Sequence, residues 1–256
     1  MAIKIEHDRP NCIGCLSPET LIVGPFGAKP ISEIKVGDLV LTSGGTFQPV
    51  TGVMAHQHEG KIYQLTVPSM GSIFITEEHE VLIVRRKTAR ENNAAPFHFE
   101  WVPAAQLQSG DYVTYPKANA PFLANVGNAS NSSKGPTLSL MKEKSIESQE
   151  RVLLPIEIVE KSYSGTVHNL EIANNPDYCT SAGIVHNCAA CAGVAPDHWE
   201  MNADGKSDVI GCTKRDDEWE EKDITDAEYD ANLQAAQSCP VNVIHLVKKE
   251  TGERII

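Results

Sequence analysis

Short apolar runs separated by Gly, Pro and polar residues fill the chain from residue 19 to residue 87. Runs of about 4 to 7 residues that are rich in Val and Ile are typical of strands, and helical periodicity is hard to find here. The runs are TLIVG, DLVLT, PVTGVMAH, KIYQLTV, SIFIT and EVLIVRR. This pattern predicts an all-β domain of many short strands.

One local pattern occurs twice in this region. SEIKVGDLVL at 32–41 and AQLQSGDYVT at 105–114 each contain a polar turn, a Gly-Asp pair and an entering strand. A single Gly-Asp pair marks many ordinary turns. Two ten-residue segments of the same pattern, 73 residues apart, predict a duplicated β unit with pseudo-twofold symmetry.

Residues 116–150 interrupt the strand pattern. They are rich in Asn, Ser, Gly, Pro and Lys and have no sustained period, which predicts a flexible surface excursion. Strand-like sequence resumes at 151–173 and again at AGIVHN, so the β domain is expected to close at Asn187.

The sequence outside this domain predicts a small α+β fold. AIKIEHD and VNVIHLVKK are expected to be edge strands that pair with each other. HWEMNADGKSDVIG predicts a hairpin turning at Asp204-Gly205, and DAEYDANLQAAQ predicts a helix before Cys239.

Composition places the chain among soluble globular proteins. Its 256 residues are 41% hydrophobic and 22% charged, enough for one large domain or two small ones. No apolar run approaches the ~20 residues of a membrane span, and the first residues lack the apolar core of a signal peptide. We therefore expect a cytoplasmic protein that does not bind a membrane. The net charge of -12 argues against nucleic acid as a partner.

The negative charge is concentrated near the C-terminus. Residues 188–256 carry a net charge of -8, with RDDEWEEKDITDAEYD at 215–230 at their centre. Two interpretations stay open: a solvated helix face, or a docking surface for a basic partner.

Seven cysteines include two Cys-x-x-Cys pairs that lie far apart. Cys12 and Cys15 form the first pair, and Cys188 and Cys191 form the second. In a reducing compartment such clusters indicate ligands or nucleophiles more often than disulfides. Both pairs have the spacing of one ligand motif that has been divided in two.

Residues 15–187 resemble an intein of the hedgehog/intein (Hint) fold. CLSPETLIVGPFGAKPISEIKVGDLVLT resembles the first splicing block, and GSIFITEEHEVLIV resembles the second. VHNLEIANNPDYCTSAGIVHN, followed by Cys188, resembles the terminal blocks. The resemblance implies a mainly β Hint domain at 15–187, inserted into a host made of 1–14 and 188–256.

This resemblance implies that Cys15 attacks the carbonyl of Gly14 and converts an amide into a thioester. Thr76 and His79 would hydrogen-bond the Gly14–Cys15 peptide and protonate its leaving nitrogen. Asn169 is a weaker candidate for orienting a reacting cysteine.

The later steps are implied by the closing residues. Cys188 would take over the thioester, and Asn187 would cyclise and cut the peptide bond that follows it, with His186 as the proton-transfer partner. A sulfur-to-nitrogen shift would then join Gly14 to Cys188. The reaction is a single-turnover, intramolecular autocatalysis that needs no cofactor.

Some features depart from the family pattern. Pro176 replaces a histidine often found near the end of such domains, so proton transfer for Asn187 would rest on His186 or on water. No LAGLIDADG or His-Asn-His nuclease pattern is present, which indicates a minimal intein without an endonuclease. Cys179 is expected to be a small buried strand residue.

Joining the 14 residues before the insertion to the 69 after it gives an 83-residue chain in which Cys12-x-x-Cys188-x-x-Cys191 is continuous. Cys239-Pro240 supplies a fourth thiolate. This chain resembles a small bacterial-type or archaeal ferredoxin, which implies a 4Fe-4S cluster and electron transfer to redox partner proteins.

Other features of that chain fix the number of clusters but leave the metal open. Ala195-Pro196 stands where two-cluster ferredoxins place a further Cys-Pro, so a single cluster is expected. Cys212 has no evident partner and is expected to be a non-ligand. Four thiolates also suit structural zinc, which stays an alternative.

The spacing of Cys12 and Cys15 suggests a redox gate. A disulfide between them would hold the nucleophile inactive until the cell is reducing, although Cys12 could equally be only a cluster ligand that awaits splicing. The competing class is a non-splicing iron-sulfur or zinc protein with an inert Hint-like insertion. Hedgehog-type autoprocessing is a third class, against which His186-Asn187-Cys188 argues.

Overall fold

The computed structural model describes residues 2–9, 12, 15–68, 70–85, 97–117, 146–147, 151–173, 177–187, 190–202, 206–239 and 242–256. These residues form two compact units. The flanking unit comprises Met1–Ile13 and Cys188–Ile256, and the central unit comprises Gly14–Asn187. Most of the predicted excursion at 116–150 and the predicted turn at Asp204-Gly205 lie outside the described residues.

Strands account for most of the regular structure. They are β1 Ile3–His7, β2 Leu21–Gly24, β3 Gly27–Pro30, β4 Leu39–Leu41, β5 Phe47–Val67, β6 Gly71–Thr76, β7 Glu80–Val84, β8 Glu100–Pro103, β9 Tyr112–Pro116, β10 Ile146–Glu147, β11 Arg151–Pro155, β12 Glu157–Ile172, β13 Asp177–Thr180, β14 Gly183–His186, β15 Trp199–Met201, β16 Ser207–Val209, β17 Thr213–Lys214, β18 Glu220–Ile224 and β19 Ile244–Lys248. Within the residues described above, the α-helices are α1 Ala190–Val194 and α2 Asp226–Gln237. The predicted fold class, a mainly β domain inserted into a small α+β unit, is confirmed.

The central unit contains two sheets. One has the strand order β10-β11-β9-β7-β14-β13-β2-β3, with β8 also paired to β7. The other has the order β12-β5-β4, with β6 also paired to β5. Apolar side chains from both sheets share one buried cluster, which includes Leu16, Ile22, Leu65, Ile75, Val81, Tyr115 and Tyr178.

Strand β5 is longer than the sequence pattern predicts. PVTGVMAH and KIYQLTV indicate two separate short strands, but the structure joins them in one strand of 21 residues. β5 pairs with β12 from Thr66 opposite Glu157 to Val50 opposite Ile172. The polar residues between the two runs remain in the strand because their backbones pair with β12 while most of their side chains are exposed.

The predicted repeat is present in the backbone. Ile31–Glu33 and Ala104–Gln106 each form a short 3-10 helix. Each follows a proline with nearly the same conformation, Pro30 with φ -54° and ψ 142°, and Pro103 with φ -55° and ψ 143°. Proline suits this place because its fixed φ prepares the turn and its missing N–H needs no partner.

The Gly-Asp pair explains why the two turns are alike. Gly37 and Gly110 have φ values of +92° and +98°, a conformation that favours glycine. Asp38 and Asp111 each accept a hydrogen bond from the amide three residues earlier, at 2.7 and 3.0 Å. Because both features are local, they were visible in the sequence.

The flanking unit forms a four-stranded sheet in the order β17-β18-β1-β19. The predicted pairing of AIKIEHD with VNVIHLVKK is confirmed by the antiparallel contacts of β1 with β19. The prediction that both are edge strands is wrong for β1, because β18 pairs with its other side. The sequence of β18, EEKDI, is too charged to be recognised as a strand from its pattern.

Two further predictions hold for this unit. Trp199–Met201 pairs with Ser207–Val209, as expected for the hairpin. Helix α2 covers the predicted DAEYDANLQAAQ, and Thr225 with Glu228 forms a capping box at its start. Among the described residues, no helix is long and apolar enough to cross a membrane.

Gly183→Ala is expected to destabilise the central unit more than Gly27→Ala. Both glycines have positive φ, +128° and +134°, so alanine is strained at either position. A Cβ at Gly183 would meet Val113 Cγ1 at 2.9 Å, whereas a Cβ at Gly27 would meet nothing within 4 Å. The clash should cost an additional 1–3 kcal/mol, roughly, in urea unfolding.

This measurement needs a chain that stays whole. The background is Cys15→Ala with Asn187→Ala, which removes the predicted nucleophile and the predicted cyclising residue. Equal loss of stability in the two glycine variants would contradict close packing at Gly183.

Candidate functional site

Cys15 is buried, with 3% of its surface exposed, and the residue after it is fixed between two strands. Leu16 forms isolated bridges to Ile75 on β6 and to His168 on β12. The Leu16 amide donates to the His168 carbonyl at 2.8 Å, and the His168 amide donates back to the Leu16 carbonyl at 2.7 Å. The sheet therefore sets the direction of the Cys15 backbone.

Thr76 contacts the backbone nitrogen of Cys15. The Cys15 N–H donates to Thr76 Oγ1 at 2.8 Å, and the Thr76 N–H donates to the Cys15 carbonyl at 2.9 Å. Thr76 ends β6 and is buried. The Cys15 nitrogen is the predicted leaving group of the Gly14–Cys15 peptide, so these two predicted residues meet at the predicted bond. Gly14 itself lies outside the described residues.

A turn that starts at Thr76 positions His79. The His79 N–H donates to the Thr76 carbonyl at 3.2 Å, and the His79 carbonyl accepts from the Ala104 N–H at 3.0 Å. Ala104 is the first residue of the second 3-10 helix, so the repeated unit holds this turn in place. The His79 side chain is buried, and its role in proton transfer stays a prediction.

Two carboxyl groups that flank His79 in the chain, Glu78 in the turn and Glu80 at the start of β7, have no signal in the sequence. Burial raises the pKa of Glu80 to about 7, and burial together with a hydrogen bond to Glu77 raises the pKa of Glu78 to about 7. Carboxyl groups with such pKa values are partly protonated at neutral pH. Their spacing resembles that of ordinary surface glutamates.

His56 is a second residue at the site that sequence reasoning missed. Its Nδ1 lies 3.9 Å from the Sγ of Cys15, within the range of a hydrogen bond to sulfur. His56 is half-buried on β5, opposite Val167 of β12. It is separated from Cys15 by 41 residues and belongs to no spacing motif, so only the pairing of distant strands brings the two together.

His186 contacts the second peptide that is predicted to be cut, the one that follows Asn187. The ring of His186 donates from Nδ1 to the carbonyl oxygen of Asn187 at 2.8 Å. Burial lowers the pKa of His186, so the ring is a neutral donor at pH 7. Trp101 packs its edge against the ring, with centroids 5.1 Å apart. Asn187 is buried, and Cys188 lies outside the described residues.

Strand pairing brings the two halves of the site toward each other. Val185 on β14 pairs with Val81 on β7 in an antiparallel register. Continued by two residues, this register leads toward Asn187 on one strand and His79 on the other. This pairing places the strand that leads to Asn187 next to the strand that follows the Thr76–His79 turn.

Asn169 is held by contacts of its own. Its Oδ1 accepts hydrogen bonds from the Tyr178 hydroxyl at 2.8 Å and from the Leu170 N–H at 2.7 Å. The predicted role of Asn169 in orienting a reacting cysteine stays a prediction. Cys179 is fully buried on β13, where burial raises the pKa of its thiol, as expected of an inert strand residue. Pro176 lies outside the described residues.

Three predicted cluster ligands share the core of the flanking unit. Cys12, Cys191 and Cys239 are buried in one cluster. Burial, together with repulsion from Cys12 and Cys239, raises the pKa of Cys191 to about 12. Cys212 is half-exposed beside this cluster.

The donor set fits an iron-sulfur group in chemistry, since several thiols buried in one apolar core are what such a group requires. Cys188, the fourth predicted ligand, lies outside the described residues. Within the described part of the chain, no three His, Cys, Asp or Glu side chains are arranged so that they could hold a metal ion by themselves.

A buried chain of polar groups leads from Cys12 into the flanking unit. His7 Nδ1 donates to Glu220 Oε2 at 3.0 Å, and both side chains are fully buried. Glu220 also accepts from the Val209 N–H at 2.9 Å and pairs with Lys214 at 3.2 Å. Burial opposes ionisation, but these partners lower the pKa of Glu220 to about 2.

Cys12 belongs to the same network. Burial disfavours its thiolate, but His7 and Ser207 outweigh this effect and lower the pKa of Cys12. Burial likewise opposes the charge of His7, whose pKa is raised by its hydrogen bonds to Cys12 and Glu220. Neither His7 nor Glu220 has a spacing signal in the sequence, because the two lie 213 residues apart.

Comparison with protein families supports the iron-sulfur assignment of the flanking unit. Residues 186–246 match the family model "4Fe-4S single cluster domain of Ferredoxin I". This match lies almost entirely within the flanking unit.

Solved structures similar to this chain include inteins and a bacterial intein-like domain from Clostridium thermocellum. The Ssp DnaB mini-intein variant M86 matches with 16% identity and a TM-score of 0.45, and the match covers 68% of this chain and 93% of that structure. The gp41-1 intein matches with 22% identity and a TM-score of 0.39, and the match covers 68% of this chain and 99% of that structure.

Curated proteins match over shorter shares of their length. An ATP-dependent DNA helicase Hel308 from Thermococcus kodakarensis is 36% identical over 72 residues, which are 28% of this chain and 6% of the helicase. An iron-sulfur cluster assembly SufBD family protein from Mycobacterium bovis is 30% identical over 120 residues, 41% of this chain and 14% of that protein. The chain thus spans only a small part of either relative.

The buried Glu220 predicts that the flanking unit loses stability in acid. The pKa of Glu220 is lowered from 4.5 to about 2 on folding, so its contribution is present above pH 4.5 and is lost as the pH falls toward 2. The loss should be about 3 kcal/mol. His7, whose pKa is raised, stays protonated throughout this window.

Urea unfolding at pH 6 and at pH 2.5, in the non-splicing Cys15→Ala, Asn187→Ala background, measures this loss. Glu220→Gln should reduce the difference between the two pH values. Glu250→Gln, at an exposed residue, is the matched control and should leave the difference unchanged. Equal pH dependence in the two variants would contradict the role of Glu220.

Proposed function

We propose that this chain is a precursor that splices itself and thereby produces a single-cluster 4Fe-4S electron carrier. The carrying observation is that each predicted scissile peptide is hydrogen-bonded by a side chain of the central unit, buried at the first bond and partly buried at the second. Thr76 contacts the Cys15 nitrogen, and His186 contacts the Asn187 carbonyl. An inert insertion would have no need of both contacts.

The first step is an acyl shift from nitrogen to sulfur. The Cys15 sulfur forms a bond to the Gly14 carbonyl carbon, the bond from that carbon to the Cys15 nitrogen breaks, and the nitrogen gains a proton. Thr76 holds the leaving nitrogen, and the turn from Thr76 to His79 holds the proposed proton donor. No atom is lost in this step.

The next steps transfer and release the segments. The Cys188 sulfur displaces the Cys15 sulfur from the Gly14 acyl group. The Asn187 side-chain nitrogen then attacks its own carbonyl carbon and forms a succinimide, and the Cys188 nitrogen leaves with a proton. The His186 Nδ1–H stabilises negative charge that develops on the Asn187 oxygen. A sulfur-to-nitrogen shift completes the Gly14–Cys188 bond.

The matches to curated proteins support the proposal that residues 15–187 are a segment separable from the rest of the chain. A match of 41% of the 256-residue chain is longer than the 69 residues of 188–256, so the match to the SufBD family protein includes part of 15–187. The helicase match of 72 residues also exceeds that length. Two proteins with such different names share sequence with this chain, as expected of a segment that is independent of its host.

In the ligated 83-residue product, Cys12, Cys188, Cys191 and Cys239 would hold the 4Fe-4S cluster, which supplies one-electron transfer when bound. The family match and the shared burial of three of these thiols support this assignment. Exposed acidic residues of 215–230 give the product a surface suited to a basic redox partner.

Splicing predicts two products from one chain. Intact-mass measurement of the freshly expressed chain, with and without reductant, should show an 83-residue product and a 173-residue segment whose masses add to 27.9 kDa within a water. Cys15→Ala should abolish ligation, and His186→Ala should slow release by about 100-fold, since general acid-base groups contribute 10²–10⁴.

The control for these variants is Cys212→Ala, a thiol outside the proposed reaction, which should splice as the original chain does. A chain that stays at 27.9 kDa in reductant would support the alternative of an inert Hint-like insertion. The proposed Cys12–Cys15 gate adds one arm: Cys12→Ser should remove any rate difference between oxidised and dithiothreitol-treated chain, and a persisting difference would refute the gate.

The cluster assignment predicts how iron binding responds to cysteine changes. After reconstitution with iron and sulfide, the ligated product should hold about four irons. Cys239→Ser should lose most of them because one thiolate ligand is missing, whereas the matched variant Cys212→Ser should keep them. Iron and acid-labile sulfide analysis measures both. Equal loss in the two variants, or zinc bound without sulfide, would contradict the assignment.

A further inference from the structure

His56 lies at the reactive atom of Cys15 although no motif includes it. Its Nδ1 is 3.9 Å from the Cys15 Sγ. β5 places it there, because β5 pairs with β12 along its length and β12 holds Leu16 through His168. The contact is thus built by the same sheet that orients the Cys15 backbone.

The two reactive ends of Cys15 face different partners. Its nitrogen donates to Thr76 Oγ1, and its sulfur faces His56. The first step needs a proton removed at sulfur and a proton delivered at nitrogen. A side chain near the nitrogen can deliver a proton there more readily than it can remove the proton at the sulfur. A separate group at the sulfur is therefore chemically useful.

A base at sulfur matters most when the thiol is not ionised by solvent. The thiolate is the nucleophile, and a free cysteine with a pKa of about 8.5 is only a few per cent ionised at pH 7. Cys15 is 3% exposed, so water has little access to its proton. His186 donates from its own Nδ1 to the Asn187 carbonyl and is engaged at the other bond.

We propose that His56 is the general base of the first step, taking the Cys15 thiol proton at Nδ1. This inference rests on the proposed splicing function and assigns its first proton transfer. The sulfur then forms the bond to the Gly14 carbonyl carbon as the bond to the Cys15 nitrogen breaks. The proton gained by His56 is balanced by the proton delivered to that nitrogen, so the step needs no other reactant.

The test isolates the first step in the full chain. The background Asn187→Ala, Cys188→Ala removes transfer and cyclisation, so the thioester at residue 15 accumulates and hydroxylamine cleaves it. Intact mass gives the cleavage rate from pH 6 to pH 9.5. His56→Gln should slow cleavage by about 100-fold at pH 7. At pH 9.5 the thiol ionises without a base, and the difference should fall to about threefold or less.

The matched control is His58→Gln. His58 lies two residues further along β5, on the same face, and its ring contacts the Lys61 carbonyl at 3.0 Å and Tyr163. The His58→Gln variant should be cleaved at the rate of the background chain at every pH. His56→Gly should recover activity in added imidazole, which replaces the missing base, while melting temperature reports any loss of fold.

The outcomes separate the two proposals. If the background chain gives no cleavage, the proposed function fails. If the background chain cleaves and His56→Gln is as fast at pH 7, the proposed function stands and the base assignment is refuted. If His56→Gln slows cleavage equally at pH 7 and pH 9.5 and imidazole does not rescue His56→Gly, His56 has a packing role. This result would also refute the base assignment.

Discussion

The pairing of Leu16 with strands on both sides is the constraint on which the candidate site depends. Its bridges to Ile75 and His168 fix the direction of the Cys15 backbone. The Cys15 nitrogen then meets Thr76, and its sulfur meets His56. A reactive residue held by the sheet has little freedom to lose before it reacts, which is the physical basis of preorganisation.

The sequence predicts those parts of the fold whose causes are local. The repeated turns were predictable because glycine permits a positive φ and the following aspartate bonds back to the chain within three residues. Helix α2 was predictable because Thr225 and Glu228 form its cap. The length of β5 was not, because its polar middle stays in the sheet only through pairing with β12, about 100 residues away.

The same distinction between local causes and the pairing of distant strands applies to the candidate site. Thr76, His79, His186 and Asn187 belong to short motifs, and Thr76 and His186 contact the backbone at the two ends of the central unit. His56 and Glu220 carry no such pattern. Charge counting treats 215–230 as one acidic face, yet Glu220 within it is fully buried against His7. Composition along a segment does not say which side chains turn inward, since strand pairing decides that.

The pairing of β9 with β11 gives the central unit a position that tolerates the insertion of additional sequence. Arg151 pairs with Pro116, and Ile146–Glu147 pairs with β11 in the same sheet, so the chain between β9 and β11 starts and ends at this sheet. Closing a longer loop costs only about 0.6 kcal/mol for each doubling of its length. Whole domains could therefore be gained or lost between these two residues during evolution while the strands that carry the reactive groups keep their register.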